Sequence, residues 1–164
     1  MTALTHDIRW PAEHGPRGAA IHEVNLARST APPSAVWSWL ATPTGWESYY
    51  RNAHDVRHLA GSWPEVELGT RFSWVTFGTR VTTEITEYEP FERLAWTGRG
   101  MGARGHHAWI LTPRSDGGTD IRTEETQRGL LPAVVRPVHA RRMRRAHQSW
   151  VDGLARIAAS TFRP

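Results

Sequence analysis

Residues 131–160, LPAVVRPVHARRMRRAHQSWVDGLARIAAS, decide how the rest of the chain is arranged. Met143, His147, Trp150, Leu154 and Ile157 recur at steps of four, three, four and three, the spacing that lines up one face of an α-helix. Arg141, Arg145, Gln148, Asp152 and Arg156 fall on the opposite side at about 100° per residue. One face meets protein and the other meets water. Pro132 suits a first turn, where its missing N–H is unpaired in any case, and Pro137 inside the pattern predicts a kink or a second start. A helix over 138–160 would run roughly 35 Å, long enough to cross a small domain. Something wide must lie beneath it, and the space between is either filled or hollow.

Upstream, the text from about residue 53 reads as strands. Phe72, Trp74 and Thr76 alternate before Gly78-Thr79, and Val81, Thr83 and Ile85 alternate after it. A Gly-Thr two-residue turn would pair Phe77 with Arg80, Trp74 with Thr83 and Phe72 with Ile85, so that both apolar sets share one face. Glu89-Pro90-Phe91-Glu92 is the next turn, with Leu94 and Trp96 continuing the inner face on 93–98. The glycine-rich connector 98–105 reads as a mobile loop. A last hairpin joins 105–113 to 119–128; centred on Asp116, it places His107 opposite Glu125. Before the strands, Ile21, Val24 and Leu26 suggest a first strand. Ala31-Pro32-Pro33-Ser34 breaks it, a short helix carries Val36, Trp37 and Leu40, and 46–50 make one more turn. Residues 1–18 are polar and aperiodic and read as a flexible tail, leaving 19–162 as a single domain. The order is α+β: a curved antiparallel sheet, two short helices between its first two strands, and one long C-terminal helix to cover it.

A chain of 164 residues can bury roughly 70% of its unfolded surface. It holds no apolar run near the ~20 residues that span a bilayer and no apolar block at its start, which predicts a cytoplasmic protein without membrane insertion. With no cysteine there is no disulfide, thiolate zinc site or cysteine nucleophile. All 20 basic residues are arginine, so Schiff-base chemistry and a phosphate-loop lysine are also excluded. Arg136, Arg141, Arg142, Arg144 and Arg145 form a basic run without interleaved aromatics, read as a solvated face and not a nucleic-acid surface.

Four stretches, taken in order, carry a family resemblance: Ser29-Thr30-Ala31-Pro32-Pro33-Ser34-Ala35-Val36-Trp37, Leu68-Gly69-Thr70-Arg71-Phe72, Tyr88-Glu89-Pro90-Phe91-Glu92-Arg93-Leu94-Ala95-Trp96, and Gly117-Gly118-Thr119 with Glu125 after it. Followed by the long helix, they resemble the SRPBCC (START/Bet v-like) superfamily, in its polyketide cyclase/dehydrase-like branch. The resemblance spans about 20–160. It implies a helix-grip fold, a seven-stranded antiparallel sheet wrapped round the C-terminal helix. It also implies a hydrophobic cavity that holds lipids, sterols, polyketides or similar molecules. The superfamily includes carriers, cyclases, hydrolases and regulators, so no catalytic set carries over to this chain.

The inner faces combine tryptophans with a few polar groups, which either plug a solid core or line a small-molecule cavity. The candidate ligand-binding residues are Tyr49, Trp74, Thr83, Trp96, His107, Trp109, Thr123, Glu125, Gln127, Met143, His147 and Trp150, with His139 a further helix candidate. The mouth is expected near 98–105 and 46–50. Glu125 facing His107 predicts an ion pair or shared hydrogen bond, either structural or serving as general acid and base. If the chain is an enzyme, a polyketide cyclase/aromatase or dehydratase is the implied type. Among the nine histidines, neither His54/His58 on an extended segment nor the adjacent His106/His107 converges, so no metal and no cofactor is expected. A small hydrophobic ligand is the expected partner; oligomeric state is not legible.

Overall fold

The alternating segments form seven strands in one curved antiparallel sheet of order β1-β7-β6-β5-β4-β3-β2. The computed structural model describes residues 7–134 and 136–163. Strand β1 (Ile21–Ser29) is followed by helix α1 (Pro33–Leu40) and a 3-10 helix (Pro43–Ser48), the two short helices expected from the sequence. Strands β2 (His54–Ala60), β3 (Arg71–Thr76), β4 (Thr79–Glu89), β5 (Arg93–Gly100), β6 (Ala103–Pro113) and β7 (Thr119–Gly129) then run as a meander. Two helices close the chain, α2 (Leu130–Val134) and the 26-residue α3 (Arg136–Thr161). Pro137 lies in the first turn of α3, so the proline signal marks a second helix start.

Helix α3 lies against β1, and the contact is more polar than the strand's apolar residues suggest. Glu23, Asn25 and Ser29 share the buried side of β1 with Ile21, while Val24 and Leu26 face out at 44% and 61% exposure. The buried polar groups tie the helix down: Asn25 Nδ2 donates to Gln148 Oε1 at 3.0 Å, Ser29 Oγ donates to Ala155 O at 2.9 Å, and Arg144 Nε pairs with Glu23 at 2.7 Å. Gln148 Nε2 returns a bond to Leu26 O. Buried polar groups have their desolvation offset by such partners, and the helix shields what would otherwise be an open sheet edge. At Gly153 the helix passes so close that an added Cβ would sit 2.3 Å from Tyr49 O.

Half of the space under α3 is solid. Trp37, Trp46, Trp109, Trp150 and Tyr50 are fully buried there. Trp46 stands 5.0 Å from Trp150 and 5.2 Å from Trp74 between ring centroids, and Tyr50 stacks on Trp150 at 4.3 Å. Edge-to-face and stacked aromatics of this size each bury a large apolar area.

The tail expectation is corrected for residues 7–18; residues 1–6 lie outside the described residues. Ile8 is buried, and with Trp10 it packs on Ala95, Ala108 and Ile110 on the outer face of the sheet. The segment is also hydrogen-bonded along its length: Arg93 Nη2 donates to Asp7 O, Thr126 Oγ1 to His14 O, and Arg128 to Gly15 O and Gly18 O. A segment without periodicity docks here because the sheet's outer face supplies the apolar and polar partners.

Candidate functional site

The other half of the space is hollow. A cavity of about 230 Å³ lies between α3 and the strand ends of the β3–β4 and β5–β6 hairpins. Trp74, Val81, Thr83 and Trp96 form its sheet wall, His139 and His147 its helix wall, and Phe77, Met101 and Pro132 surround its outer end. His107, Glu125 and Gln127 line it as well.

Two turns shape the outer end, and both differ from their sequence expectation. In the first hairpin Thr76 pairs with Thr79, so the turn residues are Phe77 and Gly78, at φ of 51° and 77°. Two successive positive φ values make a type I′-like turn, with Gly78 at its second position and not, as in the expected type II′ Gly-Thr turn, at its first. The two-residue shift keeps each side chain on its face. Trp74 now opposes Val81 and Phe72 opposes Thr83, and Trp74 Nε1 donates to Thr83 Oγ1 at 3.0 Å. In the second case β5 and β6 run through the segment read as a mobile loop and turn at Met101-Gly102, with φ of 43° and 70°. On the other side of β5, Gly100 allows β4 to come close: a Cβ there would lie 2.6 Å from Arg80 O.

The register places His107 opposite Glu125, as the hairpin centred on Asp116 requires. His107 Nδ1 lies 3.1 Å from Glu125 Oε2, and His147 Nε2 from α3 lies 3.3 Å from the same oxygen. The two imidazoles are stacked at 4.9 Å. On its other side, His107 Nε2 is 2.6 Å from Thr123 Oγ1, which donates to Ala108 O. Glu125 Oε1 accepts from Gln127 Nε2 at 2.8 Å.

These distances are those of ion pairs, but burial opposes charge on every member. Desolvation pushes the Glu125 carboxyl up to about 7, against the hydrogen bond from Gln127 that favours its ionised form. Burial, then the neighbouring His147 and His106, holds His107 well below the usual histidine range. Burial, then His139, lowers His147 to about 3. The trio is therefore a near-neutral cluster, with Glu125 the member that exchanges a proton near pH 7. The ion-pair alternative gives way because the cost of drying two charges exceeds their attraction.

Of the candidate residues, Trp74, Thr83, Trp96, His107, Glu125, Gln127 and His147 share the cavity, as does His139. Tyr49, Trp109, Thr123, Met143 and Trp150 do not line it. Trp109, Met143 and Trp150 belong to the solid core, and Thr123 stands behind His107. The Tyr49 hydroxyl donates to Trp39 O. The 46–50 flank of the expected mouth is corrected, since Trp46 and Tyr50 are enclosed; Met101, at 69% exposure and within the other expected flank, 98–105, marks the outer end. Phe77, Val81 and Met101 were absent from the candidate ligand-binding set. Phe77 stands 5.4 Å from His139 and 6.1 Å from His147, with the Arg142 guanidinium 5.5 Å over its ring. The readable signal was a bulky residue directly before glycine at each hairpin tip.

His58 Nε2 meets Gly61 O at 3.0 Å on β2, and His106 faces outward against Trp10 and His14. The donor atoms that do converge, within 4.8 Å of one another, belong to His107, Glu125 and His147. In the basic run, Arg144 is committed to Glu23 and Arg142 to Phe77; the Arg136 side chain lies outside the described residues. Among the described residues no helix is long and apolar enough to cross a membrane.

A family model described as polyketide cyclase/dehydrase and lipid transport matches residues 22–159. No curated protein matches the sequence. Among solved structures, hypothetical protein jhp0584 from Helicobacter pylori superposes with a TM-score of 0.87 at 26% identity, covering 96% of this chain and 99% of that one. TTHA0849 from Thermus thermophilus superposes at 0.72 with 19% identity, over 87% and 99% of the two chains. The Zhui aromatase/cyclase from Streptomyces sp. R1128 does so at 0.70 with 16% identity, over 87% and 95%. The last two establish likeness of fold.

Proposed function

Because the chain belongs to the polyketide cyclase/dehydrase and lipid transport family of the SRPBCC superfamily, we propose that it binds a small hydrophobic, aromatic molecule between sheet and α3. One observation carries this reading: the cavity has tryptophan walls and a few convergent polar groups, the usual build of a small-molecule site. Trp74 and Trp96 offer ring faces, Val81 and Phe77 apolar contact, and Gln127, Glu125 and His107 hydrogen bonds to a carbonyl or hydroxyl. At about 230 Å³ the space is below the roughly 300–1,000 Å³ of drug-sized sites. A one- or two-ring compound suits it better than a long acyl chain or a sterol.

The test uses 1-naphthol as an apolar probe. Titration should quench tryptophan emission saturably in the wild type, and Val81→Phe, which fills the cavity from its wall, should weaken the response at least tenfold with an unchanged circular dichroism spectrum. Emission unmoved by 1-naphthol and by a panel of other one- and two-ring compounds would remove the reading.

A second reading, polyketide cyclase or dehydratase chemistry in the same cavity, is favoured by a carboxyl near neutrality beside two uncharged imidazoles. A general acid–base works best when its pKa lies near the working pH. Turnover of a short poly-β-ketone thioester, lost in a His107→Ala/Glu125→Gln variant that still binds naphthalene, which has no group for these residues to hydrogen-bond, would support it. Equal rates in the two proteins would exclude it.

A further inference from the structure

Three donor atoms meet at one point of the cavity wall, and each comes from a different element: His107 Nδ1 from β6, Glu125 Oε2 from β7 and His147 Nε2 from α3. The chain supplies no lysine, and among the described residues no arginine pairs with Glu125. What the three groups share is electron pairs.

One arrangement of the hydrogen bonds around the trio suits a cation. Thr123 Oγ1 lies 3.1 Å from Ala108 O and 2.6 Å from His107 Nε2; with its single proton given to Ala108 O, it accepts at the shorter contact, and the proton there sits on His107 Nε2. The neutral ring then turns the Nδ1 lone pair toward Glu125 Oε2, 3.1 Å away. Gln127 occupies the other carboxylate oxygen and leaves Oε2 to the histidines. Two acceptors at that distance need a proton or a metal ion between them.

The two spacings at Glu125 Oε2 fit a metal ion, and all three donor atoms lie within 4.8 Å of one another. Donors about 2.0–2.2 Å from a common ion, at angles of about 90–110°, stand about 3.0–3.5 Å apart. The two nitrogen-to-oxygen distances are 3.1 and 3.3 Å. An imidazole whose far N–H is held by a hydrogen bond is the usual state of a metal-bound histidine, and here Thr123 supplies that bond. We propose that His107, Glu125 and His147 form a two-histidine, one-carboxylate site for a first-row divalent transition metal. The remaining coordination positions would open into the cavity, toward whatever occupies it. Nitrogen and oxygen ligands with open positions suit zinc or ferrous iron better than calcium or magnesium. The site rests on side-chain geometry alone, independently of the organic ligand, and metal titration without any apolar compound reads it separately.

Chelator-treated full-length protein is titrated with Co²⁺, with d–d absorption and calorimetry as readouts. One equivalent should bind, with visible bands of nitrogen–oxygen coordination. His147→Ala and Glu125→Gln should each weaken binding at least tenfold. Thr123→Val, which touches no metal, should weaken it about tenfold by freeing the His107 ring. The control His54→Gln/His58→Gln, on β2 away from the cavity, should bind as the wild type does. No uptake by folded wild type, uptake unchanged in His147→Ala, or uptake lost in the control would each overturn the proposal; the first would leave the trio held by a shared proton. If the variants do not fold, the wild type decides alone. Its Co²⁺ form should show a hyperfine-shifted, exchangeable imidazole proton from His107 Nε2–H, and its absence would overturn the site.

Discussion

His106 and His107 are neighbours in sequence and opposite in role. His107 faces the cavity; His106 lies on the outer face, 1% exposed, under the N-terminal segment. Neither ring nitrogen of His106 has a partner among the described residues, and neither does His14 Nδ1. Burial, reinforced by His14, pushes His106 down to about 4; burial, then Arg104, lowers His14, with Arg128 and Arg99 adding to it and Glu13 opposing. The folded pKa values lie below the unfolded ones, so between about 4 and 6.5 the unfolded chain binds more protons. Stability is complete above that window and falls as pH drops through it. At about 1.36 kcal/mol per unit, His106 alone contributes a loss of about 3 kcal/mol. Urea unfolding at pH 7.5 and 4.5 should show a drop in the wild type that is smaller by about 2–3 kcal/mol in His106→Leu, the remaining drop belonging to the other depressed histidines, His14, His107 and His147. Equal drops in both would show that His106 is not the source.

Helix α3 illustrates how an element's packing can reverse a local preference. Glycine inside a helix normally costs about 1 kcal/mol relative to alanine, so Gly153→Ala would be expected to stabilise. At this site the new methyl would meet backbone, Tyr49 O at 2.3 Å, and the helix would have to lift from the 3-10 helix region. A net loss of about 1–3 kcal/mol is expected, as for overpacked cores, read as a lowered denaturation midpoint. A raised midpoint would contradict the close approach. The helix's inner stripe was legible because its period is local: Met143, His147, Trp150 and Leu154 are all buried. The strand pattern was legible for the same reason. The first hairpin's register was off by two because a glycine suits either position of a primed two-residue turn, and Gly78 takes the second, which moves the turn by one residue.

Across the whole molecule the sheet is used on both sides. The inner face holds the tryptophan core and the cavity; the outer face is covered in part by residues 7–18. Deleting residues 1–18 should uncover Ala108, Ile110 and Arg93 and cost at least about 2 kcal/mol, the worth of burying an isoleucine and part of a tryptophan. It should leave the 1-naphthol titration unchanged, because the sheet separates the two faces. A deletion that leaves the melting temperature unchanged would show the segment to be a passive tail.

The element order, the inner and outer sets on β3–β7, the buried stripe of α3 and the facing of His107 and Glu125 can be read from the chain, since each follows from a repeat of 2 or 3.6 within a short segment. That Trp46 fills part of the space while the rest stays open, that β1 buries Glu23, Asn25 and Ser29, and that residues 7–18 lie on the sheet come from the folded arrangement. It also brought His147 to the oxygen that His107 already faces. These depend on how segments far apart in the chain approach one another, and periodicity within a segment carries no information about its neighbour in space.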